Sequence, residues 1–514
     1  MNESKHNIDI QFLFLLVIIS GLYIFWVWNH ELAGFGGDNA VYLLTAAFYS
    51  PWTASSSIAE HFANHSQYPP FYPFLLAIFG GGKSILAAHL FTAVCLLLAL
   101  VAMRIWLTAH GIASTTANLA VLLIAILPGT IKISMFILSE NLYLLLSLSV
   151  LALTSFSEKK DNSLLLIMAA ILVASATLTR TVGVSLAAAF CLYLALKKPT
   201  RSLLCGFIAL APLIIHTVFR KFQAMEHASY IDALVLHYSD DTLAKIIEQI
   251  QKESNFLWQG WLANFEAGMA NIIIGLFLGL CLLSIVFRIY QRKLDGYYLL
   301  FYFTIILLWP YPAEAKRLIY VVLPIMVGQC LFFMNLIPSI SLGKIYIRPV
   351  SVFTLAILIV SLPGTVLIID RFLQPLPAEL EPFRRNKFLY YSNHQIAHEN
   401  LLYAKTLIVD LKSLNTRLPQ EATIYGIKPS IISLYSQRMT LLPPANLAAD
   451  SSLKLSNDKV QPLYYYMMGI TSPSHPKPYY PLEEITDQLE ILHVAKSDSG
   501  DDAPVIAVLA RLKQ

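Results

Sequence analysis

Along this chain, runs of about 20 residues pass again and again with hardly a charge among them. A bilayer-crossing helix needs about 20 mostly apolar residues. Eleven stretches meet or approach that measure, at roughly 11–29, 84–107, 112–131, 138–156, 163–179, 181–197, 203–219, 268–288, 297–312, 318–337 and 349–369. The run from 163 to 197 is broken only by TRT at 179–181 and reads as a tight hairpin, while Pro310 and Pro312 end the ninth stretch early. Few soluble folds can bury that much continuous apolar chain, so the pattern restricts the answer to a bundle of membrane helices.

Composition agrees. The 514 residues are 56% hydrophobic and 13% charged, against about 25% charged in an ordinary soluble domain. A net charge of +4 with no long basic run gives no basis for nucleic-acid binding. All five cysteines lie in apolar stretches, which argues against a disulfide framework or a thiolate metal site. The first apolar run is too long for a signal peptide and has no small-residue cleavage site after it, so it reads as a retained span.

Orientation follows from lysine and arginine near the span ends. Lys159, Lys160, Lys197, Lys198, Arg201, Arg288, Arg292, Lys293, Lys344 and Arg348 fall in alternate short loops, and Arg104 lies at the same end of the second span. Placing those loops in the cytoplasm puts the N-terminus inside and the C-terminus outside. The loops 30–83 and 220–267, the TRT break, the turn WPYPAEAKR at 309–317 and the tail then share the outer compartment. The expected fold is mainly α. It is a polytopic membrane helical bundle of about 11 transmembrane helices over 1–370, followed by a small α/β domain over 371–514.

Local patterns fill in the outer segments. ASSSIAEHFAN at 54–64 predicts a short helix, and Leu243, Ile246, Ile247 and Ile250 recur at helical spacing before Trp258 and Trp261. Tryptophans in such a place suit a membrane interface. In the tail, ATIYGI at 422–427 and PVIAVLA at 504–510 read as strands, and SIISLYSQR at 430–438 as a short helix or turn.

The chemistry-bearing residues gather on the outer side. In FGGDNAVYL, Asp38 follows two glycines and opens an apolar stretch that includes Tyr42. It fits three readings: a helix cap, a metal ligand or a catalytic base. His65 and Tyr68 precede a Pro-Pro turn, Glu140 starts the fourth span, and Arg180 ends the hairpin. Lys316 and Arg317 start the tenth span, with Tyr320 one turn on. Taken singly, each charge can be a snorkelling anchor. Taken together, cations at one depth suit a lipid phosphate, and a neighbouring carboxylate suits proton removal from an acceptor. His61 and His65, at i and i+4, are candidate ligands for a divalent metal, and surface histidines are the plainer reading.

An Asp in the first outer loop, a Pro-Pro turn, an S-E start to the fourth span, an L-T-R break and a late basic turn before Y-x-x-x-P resemble the GT-C superfamily. These are membrane glycosyltransferases that use polyprenyl-phosphate sugars, and the nearest group is that of protein mannosyltransferases and aminoarabinose transferases. The likeness runs over roughly 10–370. It implies Asp38 as the catalytic carboxylate and Arg180, Lys316 and Arg317 as candidates for the donor phosphate; from their place on the same outer face, Tyr320 is a further candidate for the lipid phosphate, and Tyr42, His65, Tyr68 and Glu140 are candidates for positioning donor or acceptor. Two positions depart from it: Asn39 follows Asp38 where many relatives carry Glu, and Tyr68 stands where aminoarabinose transferases carry Lys. The expected activity is transfer of a sugar with inversion to a protein, glycolipid or envelope polymer at a bacterial inner membrane. A lipid transporter or flippase and a non-enzymatic envelope scaffold are the competing readings. The first is weakened by the absence of a visible internal repeat, the second by the unexplained charges.

Overall fold

The computed structural model describes residues 9–28, 37–222, 243–266, 271–309, 315–342, 345–384, 394–442, 464–468, 489–497 and 503–513. In chain order the helices are α1 (Ile10–Val27), α2 (Gly37–Tyr49), α3 (Ser57–Asn64), α4 (Phe71–Ile78), α5 (Ile85–Ala109), α6 (Ser114–Ile126), α7 (Pro128–Ser134) and α8 (Glu140–Lys160). They continue with α9 (Ser163–Thr177), α10 (Val184–Lys197), α11 (Pro199–Phe222), α12 (Leu243–Phe265), α13 (Asn271–Tyr290), α14 (Leu294–Leu307) and α15 (Ala315–Met334). The last are α16 (Pro349–Leu373), α17 (His394–Arg417) and α18 (Pro429–Ser436). A hairpin, β1 (Ile340–Leu342) and β2 (Ile345–Ile347), precedes α16, and a second sheet holds β3 (Thr423–Tyr425), β4 (Met439–Leu441), β5 (Tyr464–Met468), β6 (Leu489–Lys496) and β7 (Val505–Leu512).

Over their described residues the eleven apolar stretches are mainly helical, with 29, 268–270 and 310–312 lying outside the described residues. Among the described residues, seven helices are long and apolar enough to cross a bilayer: α1, α5, α8, α11, α13, α15 and α16. The bent pair α6–α7 makes an eighth, and α9, α10 and α14 are shorter apolar helices. The third stretch is not the straight span its composition suggests, because it turns by 60° between Ile126 and Pro128. Proline has no N–H for the helix ladder, and its ring clashes with the carbonyl four residues back. The 163–197 hairpin is as expected, with a 3-10 turn at Thr181–Gly183.

The chain divides into two compact units. One comprises 1–28, 67–75 and 89–370, and the other 29–66, 76–88 and 371–514. In the first unit the bundle interior is fully apolar over long stretches, and its buried aromatics find polar partners. Tyr23 donates to the Ala125 carbonyl at 2.7 Å and Trp261 to the Ile274 carbonyl at 3.0 Å. Trp261 is therefore inside the bundle rather than at a membrane interface, while Trp258 is 40% exposed. Several of the cations read as cytoplasmic are ion-paired: Arg288 with Asp295 at 2.7 Å, Lys293 with Glu158 at 2.6 Å and Lys198 with Asp161 at 2.5 Å, while Lys344 lies outside the described residues.

In the second unit the sheet order is β4-β3-β5-β7-β6, with β3 parallel to β4 and β5, and β7 antiparallel to β5 and β6. Ala397, Leu401, Ala404, Ile408 and Leu411 line one face of α17 at helical spacing and pack with Ile424, Tyr466 and Leu509 of the sheet. Ile431 and Ile432 of α18 and Ala40 of α2 join the same core. The expected strands at 422–427 and 504–510 and the helix at 430–438 are present with slightly shifted ends, as is the short helix at 54–64.

Candidate functional site

In the first unit, four segments that the sequence singles out come together. Glu140 is the first residue of α8 and is fully buried. Its Oε1 accepts from Arg180 Nη1 and from both Nε and Nη2 of Arg317, each at 2.8 Å. Arg180 Nη1 also donates to Ser139 Oγ at 3.1 Å. The Pro-Pro turn is tied to the same place, since Phe71 N–H donates to the Leu178 carbonyl of the L-T-R break at 2.9 Å. The Arg180 side chain is 14% exposed and that of Arg317 27%, so their outer N–H groups keep access to a ligand while the carboxylate behind them does not. Tyr320 is fully buried and donates to Asn141 Oδ1 at 2.6 Å, bracing α15 against α8.

Lys316 belongs to a second group of charges. Lys132 of α7 pairs with Glu266 at the end of α12, and Lys316 acts electrostatically on both. The bend at Pro128 delivers Lys132 there, and Gly129 makes the close approach possible. A Cβ at 129 would fall 1.8 Å from Asn264 Oδ1, and Asn264 itself bonds the Lys316 carbonyl at 3.3 Å. Lys132 and Glu266 went unnoticed in the sequence. The available signal was a lone lysine directly after Leu-Pro-Gly, between two apolar stretches. Both groups hold two cations against one carboxylate, and they meet at the consecutive residues Lys316 and Arg317. A surplus of positive charge on rigid helix ends, with guanidinium forks among it, is suited to phosphate oxygens.

Further back along the same helix, α12 carries another acid outside the apolar spans. Glu253 is fully buried, accepts from Gln249 Nε2 at 3.2 Å, and its Oε2 has no partner among the described residues. Burial pushes this carboxyl up to about 7, with Lys252 opposing.

In the second unit, Asp38 lies in the first turn of α2, one residue past the helix start, and Tyr42 follows one turn later, buried. A carboxylate is favoured there by the helix dipole. α2 packs against α3 and α18. His61 and His65 stack at 4.3 Å between ring centroids, and His65 Nδ1 bonds the His61 carbonyl at 2.7 Å. Among the described residues no group of three or more His, Cys, Asp or Glu could hold a metal ion. Tyr68 sits in the bend leading to the Pro-Pro turn, in the first unit.

The fold is similar to that of ArnT from Cupriavidus metallidurans bound to undecaprenyl phosphate, with 12% identity, a TM-score of 0.56, and coverage of 98% of this chain and 97% of that one. The same protein in its apo state gives 13% identity, a TM-score of 0.54 and the same coverage. In sequence, the model of glycosyltransferase family 87 matches residues 67–310. That range holds Glu140, Arg180, Lys132 and Glu266. No curated protein matches the chain in sequence. The resemblance to GT-C enzymes read from the motifs is thus borne out, and fold and family match together support a membrane glycosyltransferase.

Proposed function

We propose that the chain moves a sugar, with inversion, from a polyprenyl-phosphate-linked donor to an acceptor on the extracytoplasmic face of a bacterial inner membrane. The observation that carries this reading is the pair of guanidiniums, Arg180 and Arg317, held by one buried carboxylate, Glu140. An exposed phosphate can share those N–H groups without forcing the arginines to reorganise, because Glu140 already fixes them. Lys316 and Lys132 add positive charge alongside. In the reaction, the Asp38 carboxylate takes the proton of an acceptor hydroxyl or amine as its oxygen or nitrogen bonds the anomeric carbon. The bond from that carbon to the phosphate oxygen breaks, and its electron pair leaves on the phosphate, where the cations stabilise it. Tyr42, His65 and Tyr68 are proposed to orient donor or acceptor. The ArnT structure bound to undecaprenyl phosphate supports a polyprenyl phosphate as the carrier.

Native mass spectrometry with undecaprenyl phosphate tests the phosphate site. A charge-assisted hydrogen bond contributes about 1.5–3 kcal/mol, so Arg317→Met and Arg180→Met should each weaken binding by roughly 10- to 100-fold. Unchanged binding in both variants would remove the cluster from the reading. Asp38→Asn should insert normally and lower transfer by about 10² or more, measured against the sugar lipid that co-purifies.

A further inference from the structure

We propose that Lys428, in the turn after strand β3, is a positioning residue for Asp38 that holds its carboxylate ionised, so that the C-terminal sheet is part of the chemistry of α2. This rests on the assignment of Asp38 as the base. Three observations place the two residues together. Ser430 Oγ donates to the Gly37 carbonyl at 3.1 Å, fastening the residue before Asp38 to α18. A Cβ at Gly37 would meet that same hydroxyl at 3.6 Å, ordinary van der Waals contact, so the Ser430 side chain covers the start of α2. Ala40 shares a core with Ile431 and Ile432, which fixes the register of α2 on α18.

The turn that brings Lys428 there is specified by sequence. β3 ends at Tyr425, and Gly426 follows where a Cβ would lie 2.3 Å from Ile432 Cδ1 and 3.1 Å from the Tyr466 carbonyl. A side chain there would force Ile432 to shift and crowd the Tyr466 carbonyl, and α18 starts three residues later at Pro429. Lys428 therefore sits past the C-terminal end of a strand that runs parallel to both neighbours, where open α/β sheets place their ligand-handling residues.

The electrostatics fit a carboxylate-facing role. Lys428 is half-buried. Burial pushes its ammonium down, and the charge that pushes it back is Asp38. The other titratable groups on the helices packed against α2 are Glu60, His61 and the capping His65 of α3, and Tyr435 of α18. Lys428 is the fixed cation of this set. Its interaction with Asp38 is reciprocal, so it disfavours the protonated carboxyl that could not act as a base.

The test needs no substrate. A water-soluble carbodiimide with glycine ethyl ester modifies protonated carboxyls, and peptide mass spectrometry reads the rate at Asp38 in the full-length detergent-solubilised protein. Lys428→Met should raise that rate several-fold, up to about tenfold for one unit of lost electrostatic support, and Lys428→Arg should hold it near wild type. Melting temperatures within 2 °C or so of wild type exclude unfolding as the cause. If unfolding intervenes, the conservative Lys428→Gln is used in place of Met. Equal rates in wild type and Lys428→Met overturn the inference, as does an arginine variant that reacts like the methionine one. An active Asp38→Asn would instead sink the base assignment and leave the labelling result standing.

Discussion

Glu140 and Glu253 show how differently two buried carboxylates behave. Glu140 is balanced by two guanidiniums, so its removal leaves both arginines without their counter-charge at a largely buried site. Glu140→Ala should destabilise the protein by on the order of 3 kcal/mol and lower its melting temperature in detergent. A variant that melts like wild type would show the cluster to be peripheral to the fold. Glu253 has a single hydrogen bond from Gln249 and an oxygen with no partner among the described residues. Its carboxyl is raised from 4.5 to about 7, so the folded state holds a proton that the unfolded state releases. Stability then falls as pH rises from about 4.5 to 7 and levels off above. Glu253→Gln should flatten that slope and add on the order of 2 kcal/mol at pH 8, with no gain below pH 4, as read by denaturation across pH. Glu140 was visible in the sequence because it opens a span after serine. Glu253 was not, since in an amphipathic helix it reads as a solvated face until packing shows otherwise.

Among the elements, the bent pair α6–α7 departs furthest from its sequence reading. Hydropathy alone predicts a straight crossing over 112–131, because an apolar window does not record where proline and glycine redirect the axis. Yet the redirection is what turns a would-be lipid-facing segment into the carrier of Lys132. Gly129→Ala should push Asn264 off the Lys316 carbonyl, cost about 1–3 kcal/mol and weaken undecaprenyl phosphate binding with it. Intact binding would mean that Lys132 and Lys316 act independently of this contact. By contrast, the 163–197 hairpin was legible in full. Arg180, within TRT at 179–181, carries the sole charge in a run of more than thirty residues, and a helix pair has little choice but to turn there.

At the scale of the whole molecule, the span pattern defined the bundle, while the composition shift after Phe372 marked the α/β domain. The partnership of 29–66 with 371–514 was illegible, since nothing local in FGGDNAVYL announces a sheet that begins nearly four hundred residues later. Contacts of that sequence separation leave no periodicity to read. A chain truncated after residue 370 should therefore lose more than a tail. Without Ile431, Ile432 and Ser430 against it, α2 should become sensitive to limited proteolysis near Asp38 in otherwise inserted protein. A protected loop in the truncated chain would show that α2 holds its conformation alone.

The hydrogen bond from Ser430 to Gly37 spans 393 positions. At about 5–20 residues per second on the ribosome, roughly 20–80 s separate the emergence of the two. Nor can the sheet be finished at that moment, because β7, the final strand made, lies between β5 and β6. Through that interval the nascent chain thus has α2 but neither α18 nor the sheet it packs with. A chain interrupted before β7 should therefore insert yet lack the completed sheet behind α2.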